Sequence, residues 1–476
     1  MPELTQKTTN GLKWSAVERI ATQVIQLVVM LILGRMLGPE AFGLVGMLAI
    51  FIAISQTFVD SGFSSALIRK QDRRDIDYTT TFYFNIVISF SCYILLFICA
   101  PYIADFYHQP ELINLTRTLG IVILANAFSI VQRTRLTIAM DFKTQAKASL
   151  LSVSCSTTIA LFMAYSGFGV WSLVGQTLSF AIINALFLNI LEPWFPKGGF
   201  SKKSFKELFG FGSKILVSGL LDTIYNNIYQ IIIGKLFNAE QLGLFTQAKN
   251  LSSMPAMTLT GIIQRVTYPM MSHIQNDLQA LDKSYLLTLR LSAVVIFPII
   301  IGLGLVSKPL LNILLGKEWQ SAAELMSLLC IGYMLYPIHA INLNLLQVKG
   351  RSDLFLKLEI IKKIITTIVL IITVPLGIKA ICIGMVIQSY LALFINTYYT
   401  GKLSSLTMFK QFKSLIYIWL ITLICASIAS LWYLIISDNT IQLILILISA
   451  FFLYLISIKY LQSDLFGYFI NMMFRK

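Results

Sequence analysis

Leu33-Gly34-Arg35-Met36-Leu37-Gly38-Pro39-Glu40-Ala41-Phe42-Gly43-Leu44 is the stretch on which the fold turns, because it comes back later in the chain. The second copy reads Ile233-Gly234-Lys235-Leu236-Phe237-Asn238-Ala239-Glu240-Gln241-Leu242-Gly243-Leu244. Gly34, Glu40, Gly43 and Leu44 recur as Gly234, Glu240, Gly243 and Leu244. Each copy reads as the outward turn of a helical hairpin, running from Gly11 to Ile68 in the first instance. Gly38 suits a left-handed helix C-cap, and Asn238 is the other residue that tolerates one. Arg35 and Lys235 stand where a helix C-terminus favours a cation, Glu40 and Glu240 where the next N-terminus favours an anion. Pro39 suits a first helical position.

The helices leading into the two turns also correspond. Ser15, Glu18, Arg19, Thr22, Gln23 and Gln26 recur at helical spacing inside an apolar segment, so they share a face. Ser218, Asp222, Thr223, Asn226, Tyr229 and Gln230 do the same in the second copy. Hydrocarbon cannot satisfy such a stripe, so each must face protein or water. Two equivalent stripes predict an internal duplication around a shared polar cavity.

Composition places the duplication in a bilayer. The 476 residues are 57% hydrophobic and 12% charged, with a mean hydropathy of +0.76; a soluble chain carries about twice that charged fraction. The polar start, Met1 to Lys13, and a long first apolar run without a small-residue cleavage site predict no cleavable signal. The net charge of +15 does not indicate nucleic acid, since the basic residues fall in alternate connections between apolar runs, as the positive-inside rule expects. One set holds Arg69, Lys70, Arg73 and Arg74, then Arg133, Arg135, Lys143 and Lys147, then the lysines between Lys197 and Lys214. The opposite connections hold little beyond Arg35, Lys235, Lys317 and Lys379. Both termini are therefore expected in the cytoplasm. The six cysteines have no pairable or metal-like spacing, and the three histidines lie far apart, so neither a metal centre nor a histidine-based triad is expected.

Apolar runs of about twenty residues predict an all-α polytopic membrane protein with about 14 transmembrane helices. The expected organisation is a six-helix lobe over residues 1–191, a cytoplasmic linker over 192–211, a second six-helix lobe over 212–402, and two additional helices with a cytoplasmic tail over 403–476. The fourth helix is expected over Ile113 to Gln132, and the eleventh to begin among Lys357 to Lys363. The basic stretch Phe200 to Phe209 is either an interfacial helix or the start of the seventh span. Six spans per half make the repeats enter the membrane in the same sense, related by an axis along its normal. The final pair has no counterpart and reads as an appendage.

An ionisable group at mid-membrane costs about 2.5–3.5 kcal/mol on insertion scales, so those that persist need a reason. Glu18, Arg19, Asp60, Asp222, Lys249 and Arg265 all lie on the duplicated hairpins. Their ordinary readings are snorkelling for Glu18 and Arg19, a cross-hairpin pair between Asp60 and Arg19, and a topology signal for Arg265. Lys249, on a span with Asn250, Ser253, Thr260 and Gln264, is the hardest to dismiss. The functional alternative is a substrate cavity made by Arg19, Lys249, Arg265, Gln23, Gln26, Asn226 and Gln230. Its cations suit an anionic group such as a pyrophosphate.

The run Leu33 to Leu44, followed by Asp60-Ser-Gly-Phe63 and Ala66-Leu-Ile-Arg69, resembles bacterial polysaccharide exporters of the Wzx type. Leu242-Gly-Leu-Phe245, Gln264-Arg-Val266 and Tyr268-Pro-Met-Met-Ser272 extend the resemblance, which covers about Thr8 to Gly401. It implies membership of the multidrug, oligosaccharidyl-lipid and polysaccharide exporter superfamily. It further implies a flippase that carries undecaprenyl-pyrophosphate-linked oligosaccharide repeat units across the bacterial inner membrane by alternating access, for O-antigen, capsule or exopolysaccharide assembly. No cofactor is implied beyond H+ or Na+ coupling, for which Glu18, Asp60 and Asp222 are the candidate carboxylates. The partners implied are the lipid-linked oligosaccharide, the phospholipid bilayer, and a polysaccharide polymerase with its chain-length machinery. One alternative is a multidrug or cation-coupled extruder of the same superfamily, which would want an acidic or aromatic cavity. A remoter one is a membrane-embedded polymerase or acyltransferase, for which the outer loops are short and His339 has no evident partner.

Overall fold

The computed structural model describes residues 2–60 and 62–467, with side chains described from Trp14 onwards. The described chain is a succession of helices. They are α1 (Pro2–Asp60), α2 (Phe63–Arg69), α3 (Asp75–Tyr107), α4 (Leu112–Ala127), α5 (Ile130–Ile138), α6 (Phe142–Tyr165), α7 (Trp171–Leu191), α8 (Lys202–Leu236) and α9 (Ala239–His273). Then follow α10 (Leu278–Leu305), α11 (Ser307–Leu314), α12 (Gln320–Tyr333), α13 (Tyr336–Val348), α14 (Ser352–Thr373), α15 (Ile378–Leu403), α16 (Met408–Ala429), α17 (Trp432–Ile435) and α18 (Asn439–Leu461). The chain divides into two compact units at Gly243 and Leu244.

Among the described residues ten helices are long and apolar enough to cross a bilayer, or eleven if α4 and α5 form one bent span. By that measure the expected fourteen is not reached, and the shortfall has physical causes. The 59 residues of α1 amount to about 88 Å at ~1.5 Å per residue, far beyond a ~30 Å hydrocarbon core. The helix folds back on itself at Gly38, so one element holds both arms of the hairpin. Helices α9 and α14, of 35 and 22 residues, carry polar side chains that keep them below the apolar threshold. Large apolar side chains lie bare along single helix faces, as Val87, Phe90, Ile94, Ile98 and Tyr102 do on α3. Such stripes are what a lipid-facing surface requires.

In the first unit the two aligned turns meet. Gly38 adopts φ 71, ψ 176, a region open essentially to glycine but not the left-handed helical conformation expected of a C-cap. Asn238 is not a C-cap either. Its side-chain oxygen accepts from the Gln241 amide at 2.8 Å, so it caps the N-terminus of α9. A β-carbon on Gly43 would stand 1.7 Å from the Ala239 carbonyl oxygen, and one on Gly243 1.8 Å from that of Pro39. Since Pro39 and Ala239 are equivalent in the two copies of the turn, the contact is reciprocal.

Further along, Gly62 (φ 68) packs on the backbone of Gly212 in α8, the distance an added β-carbon would have to its carbonyl oxygen being 2.6 Å. The stretch 200–209 is the start of the seventh-span helix: α8 begins at Lys202, N-capped by Ser201. Its first turns are held by rings, Phe205 lying 5.9 Å from Phe63 and 5.2 Å from Phe84 between centroids. Lys70 reaches Asp77 at 3.2 Å and Glu207 at 2.9 Å, and the Thr79 hydroxyl donates to the Lys197 carbonyl at 3.1 Å. Connection 192–201 is thereby tied to α3.

In the second unit the core centres on Tyr285, Phe297, Trp319 and Met326, all fully buried. The tyrosine hydroxyl donates to Gln411 Oε1 at 2.9 Å, and Thr400 Oγ1 donates to Asn342 Oδ1 at 3.0 Å. The last helices dock on α10: Tyr454 donates to the Val294 carbonyl at 2.8 Å and Tyr433 to that of Leu305 at 2.7 Å. The fourth expected helix is two pieces, α4 and α5, bent by 41°, and α14 starts at Ser352, ahead of the expected range. Residues 468–476 of the expected tail lie outside the described residues.

Candidate functional site

Two helix breaks shape the first unit's polar cleft. Helix α1 ends at Asp60 and α2 restarts after the left-handed Gly62. Opposite, α4 ends at Ala127 and α5 restarts at Ile130, with Asn126 and Ser129 at the break. Discontinuous helices free backbone and polar side chains that a continuous apolar span would have no means to satisfy. The cleft holds about 360 Å³ and is walled by Gln56, Thr57 and Asp60 from α1, Ser64 and Ser65 from α2, Asn126 from α4, and Ser129, Arg133, Thr134 and Thr137 from the α5 segment. Ile215, Leu216 and Gly219 of α8 form an aliphatic side.

Inside it the polar groups are ordered into a chain. Asn126 Nδ2 donates to Gln56 Oε1 at 2.9 Å, and Gln56 is within side-chain hydrogen-bonding range of the Asp60 carboxylate. Thr57 lies 3.1 Å from Thr223 on α8, hydroxyl to hydroxyl. The Arg133 guanidinium acts electrostatically on Asp60 and also on Glu18 of α1, whose carboxylate is in hydrogen-bonding range of Ser149. The cation in range of Asp60 is Arg133, where the sequence pointed to Arg19.

The remaining candidates of the first unit are spread along helices. Arg19 and Gln26 on α1 and Asp222 and Asn226 on α8 are exposed, while Gln23 and Gln230 are half-buried. In the second unit Lys249 is half-buried and Arg265 exposed, both on α9. Sixteen residues separate them, about 24 Å along a helix axis, so they do not form one cluster. Gln264, next to Arg265, donates to Asn344 at 3.3 Å. His339 does have partners, Ser389 Oγ at 3.1 Å and Asn396 Nδ2 at 3.3 Å, and is a hydrogen-bonded residue among α13 and α15. Among the described residues no group of three histidine, cysteine or carboxylate side chains is placed to hold a metal.

Arg133, Asn126 and Gln56 were missed as site residues. Arg133 reads as one more topology cation because the apolar run ends just before it. The available signal was Asn126-Ala-Phe-Ser129, helix-weakening residues inside a span, which mark the break that turns Arg133 inward.

Long helices with bare hydrocarbon faces, interrupted around an accessible charged cleft, define a polytopic membrane protein of the transporter kind. A family described as "Polysaccharide biosynthesis protein" matches residues 32–324. The chain belongs to that family. It is 27% identical over 358 residues to the teichuronic acid biosynthesis protein TuaB of Bacillus subtilis (strain 168), covering 74% of each. To the lipopolysaccharide biosynthesis protein WzxC of Escherichia coli (strain K12) it is 24% identical over 404 residues, covering 83% of this chain and 80% of that one. Its fold is similar to that of the lipid II flippase MurJ in an inward closed conformation, with a TM-score of 0.77 at 15% identity, covering 95% of this chain and 100% of that one.

Proposed function

We propose that this chain moves undecaprenyl-diphosphate-linked oligosaccharide repeat units between the leaflets of a bacterial cytoplasmic membrane, for surface polysaccharide assembly. It is a transporter and not an enzyme. One observation carries this: in a member of a polysaccharide biosynthesis family, a charged, hydrogen-bonding cleft lies among helices whose other faces are bare hydrocarbon. A sugar head is too costly to drag through hydrocarbon, whereas its lipid tail never has to leave it. A polar surface that the head can follow, with the tail trailing in lipid, removes most of that barrier. Alternating exposure through movement of the two lobes, 1–191 and 212–402, completes the cycle.

In this proposal Arg19, Gln23, Gln26, Asn226, Gln230, Lys249 and Arg265 contact the substrate along its route. Glu18, Asp60 and Asp222 are the carboxylates available to H+ or Na+. Both termini face the cytoplasm, as the lysine and arginine distribution favours, and a polymerase with its chain-length machinery receives the product. Deleting the gene is expected to leave lipid-linked repeat units on the inner leaflet, protected from an external glycosidase, with loss of surface polymer. Normal polymer display in a strain with no second exporter would falsify the proposal. So would a phenotype confined to drug tolerance, which favours the extruder alternative.

A further inference from the structure

We infer that the first unit's cleft is a saccharide subsite, which recognises one or two sugar residues of the cargo beyond the one joined to the diphosphate and leaves the diphosphate to other groups. The inference rests on the flippase reading above and adds which part of the cargo is read, and where. Size comes first: about 360 Å³ lies at the low end of the ~300–1,000 Å³ typical of small-molecule sites, too small for a whole lipid-linked oligosaccharide.

Charge decides the class of ligand. Arg133 shares the cleft with the Asp60 carboxylate. A diphosphate would meet that carboxylate as well as the guanidinium, and a metal ion would meet the guanidinium. A neutral polyol suffers neither penalty. Sugar hydroxyls both donate and accept, and the cleft offers both: Arg133 only donates, Asp60 only accepts, and Gln56, Asn126 and Ser64 do either. The hydroxyls of Thr134 and Thr137 already donate to the carbonyls of Ile130 and Arg133, at 2.8 and 2.9 Å, and Thr137 accepts from Gln145 Nε2 at 3.0 Å, so neither is a donor to the cleft. Ile130, Ile215 and Leu216 give an aliphatic side against which the C–H face of a pyranose ring can lie. Asp60, Ser65 and Arg133 are exposed, so the hydrogen-bonding groups are accessible.

The full chain in proteoliposomes tests this with two cargoes: undecaprenyl diphosphate bearing the complete repeat unit, and the same carrier bearing its first sugar alone. Asn126→Ala and Arg133→Lys are expected to slow transfer of the complete unit by about tenfold or more, with the single-sugar carrier changed less than about twofold. Equal loss on both carriers, or no loss on either, overturns the subsite while wild-type transfer upholds the flippase. If the wild type moves neither cargo, the flippase reading fails and the subsite with it. A second measurement does not depend on damaging the cleft: Ser65→Cys, in a background with Cys92, Cys99 and Cys155 replaced by serine, is labelled with a polar maleimide. Protection by the complete lipid-linked unit but not by undecaprenyl diphosphate supports the inference; equal protection by both, or by neither, overturns it.

Discussion

At the scale of single residues, stability is concentrated where charge and polarity are buried with partners. The Lys70 side chain is 7% exposed and that of Asp77 is fully buried, whereas Glu207 is 55% exposed. Removing Lys70 therefore leaves the buried Asp77 charge without its cation, held only by hydrogen bonds such as that from the Arg74 N–H at 2.9 Å, at a cost of about 3 kcal/mol. Loss of the Glu207 contact alone is worth ~0–1 kcal/mol. Burial opposes the ammonium charge, but hydrogen bonds to Glu207 and Asp77 outweigh it and raise the Lys70 pKa above the ordinary lysine value. A raised folded pKa means stabilisation that is complete below the unfolded value of ~10.4 and fades as pH climbs through the folded one. Lys70→Met should lower the melting temperature in detergent equally at pH 7 and pH 9, with the gap to wild type closing toward pH 11. Tyr285→Phe is the companion test in the second unit. It leaves Gln411 Oε1 without its 2.9 Å donor inside a buried cluster, and thermal unfolding should show a loss of ~1–3 kcal/mol.

At the scale of elements, the breaks and crossings matter more than the spans. Gly43→Ala and Gly243→Ala each drive a methyl into backbone that has nowhere to go, so each should exceed the ~1–3 kcal/mol of ordinary overpacking. Because both act on one reciprocal contact, the double variant should cost clearly less than the sum. Gly261→Ala on α9, where nothing lies within 4 Å of the added carbon, should instead stabilise by up to ~1 kcal/mol. Melting temperatures of the four variants decide the matter: strict additivity of the first two would deny that the turns touch. The duplicated turn was legible because it needs particular residues at particular positions. The break between α4 and α5 was not, since its residues are individually unremarkable in a span and acquire meaning only once α1 and α2 are seen opposite them.

At the scale of the whole molecule, the last helices are structural partners of the second unit. Gln411 belongs to the buried cluster of Tyr285, Thr400 and Asn342, and Tyr433 and Tyr454 tie the terminal helices to carbonyls of α10. Truncation after Leu403 should thus sharply reduce the folded fraction on size-exclusion chromatography. A truncated protein that is monodisperse and thermally unchanged would return these helices to the status of an appendage.

The sequence by itself determined the solvent, the all-helical class and the repeated turn, because hydrocarbon permits only helices that satisfy their own backbone and because a tight turn demands glycine and capping residues in a set order. Family resemblance came from those same turns. What only the tertiary structure decided is which polar side chains share a space. Helical periodicity says which residues share a face of their own helix, but not what stands across from that face. That Asp60, Arg133, Asn126 and Gln56 line one cleft, and that His339 has partners, therefore had to await the packing of helices far apart in the chain.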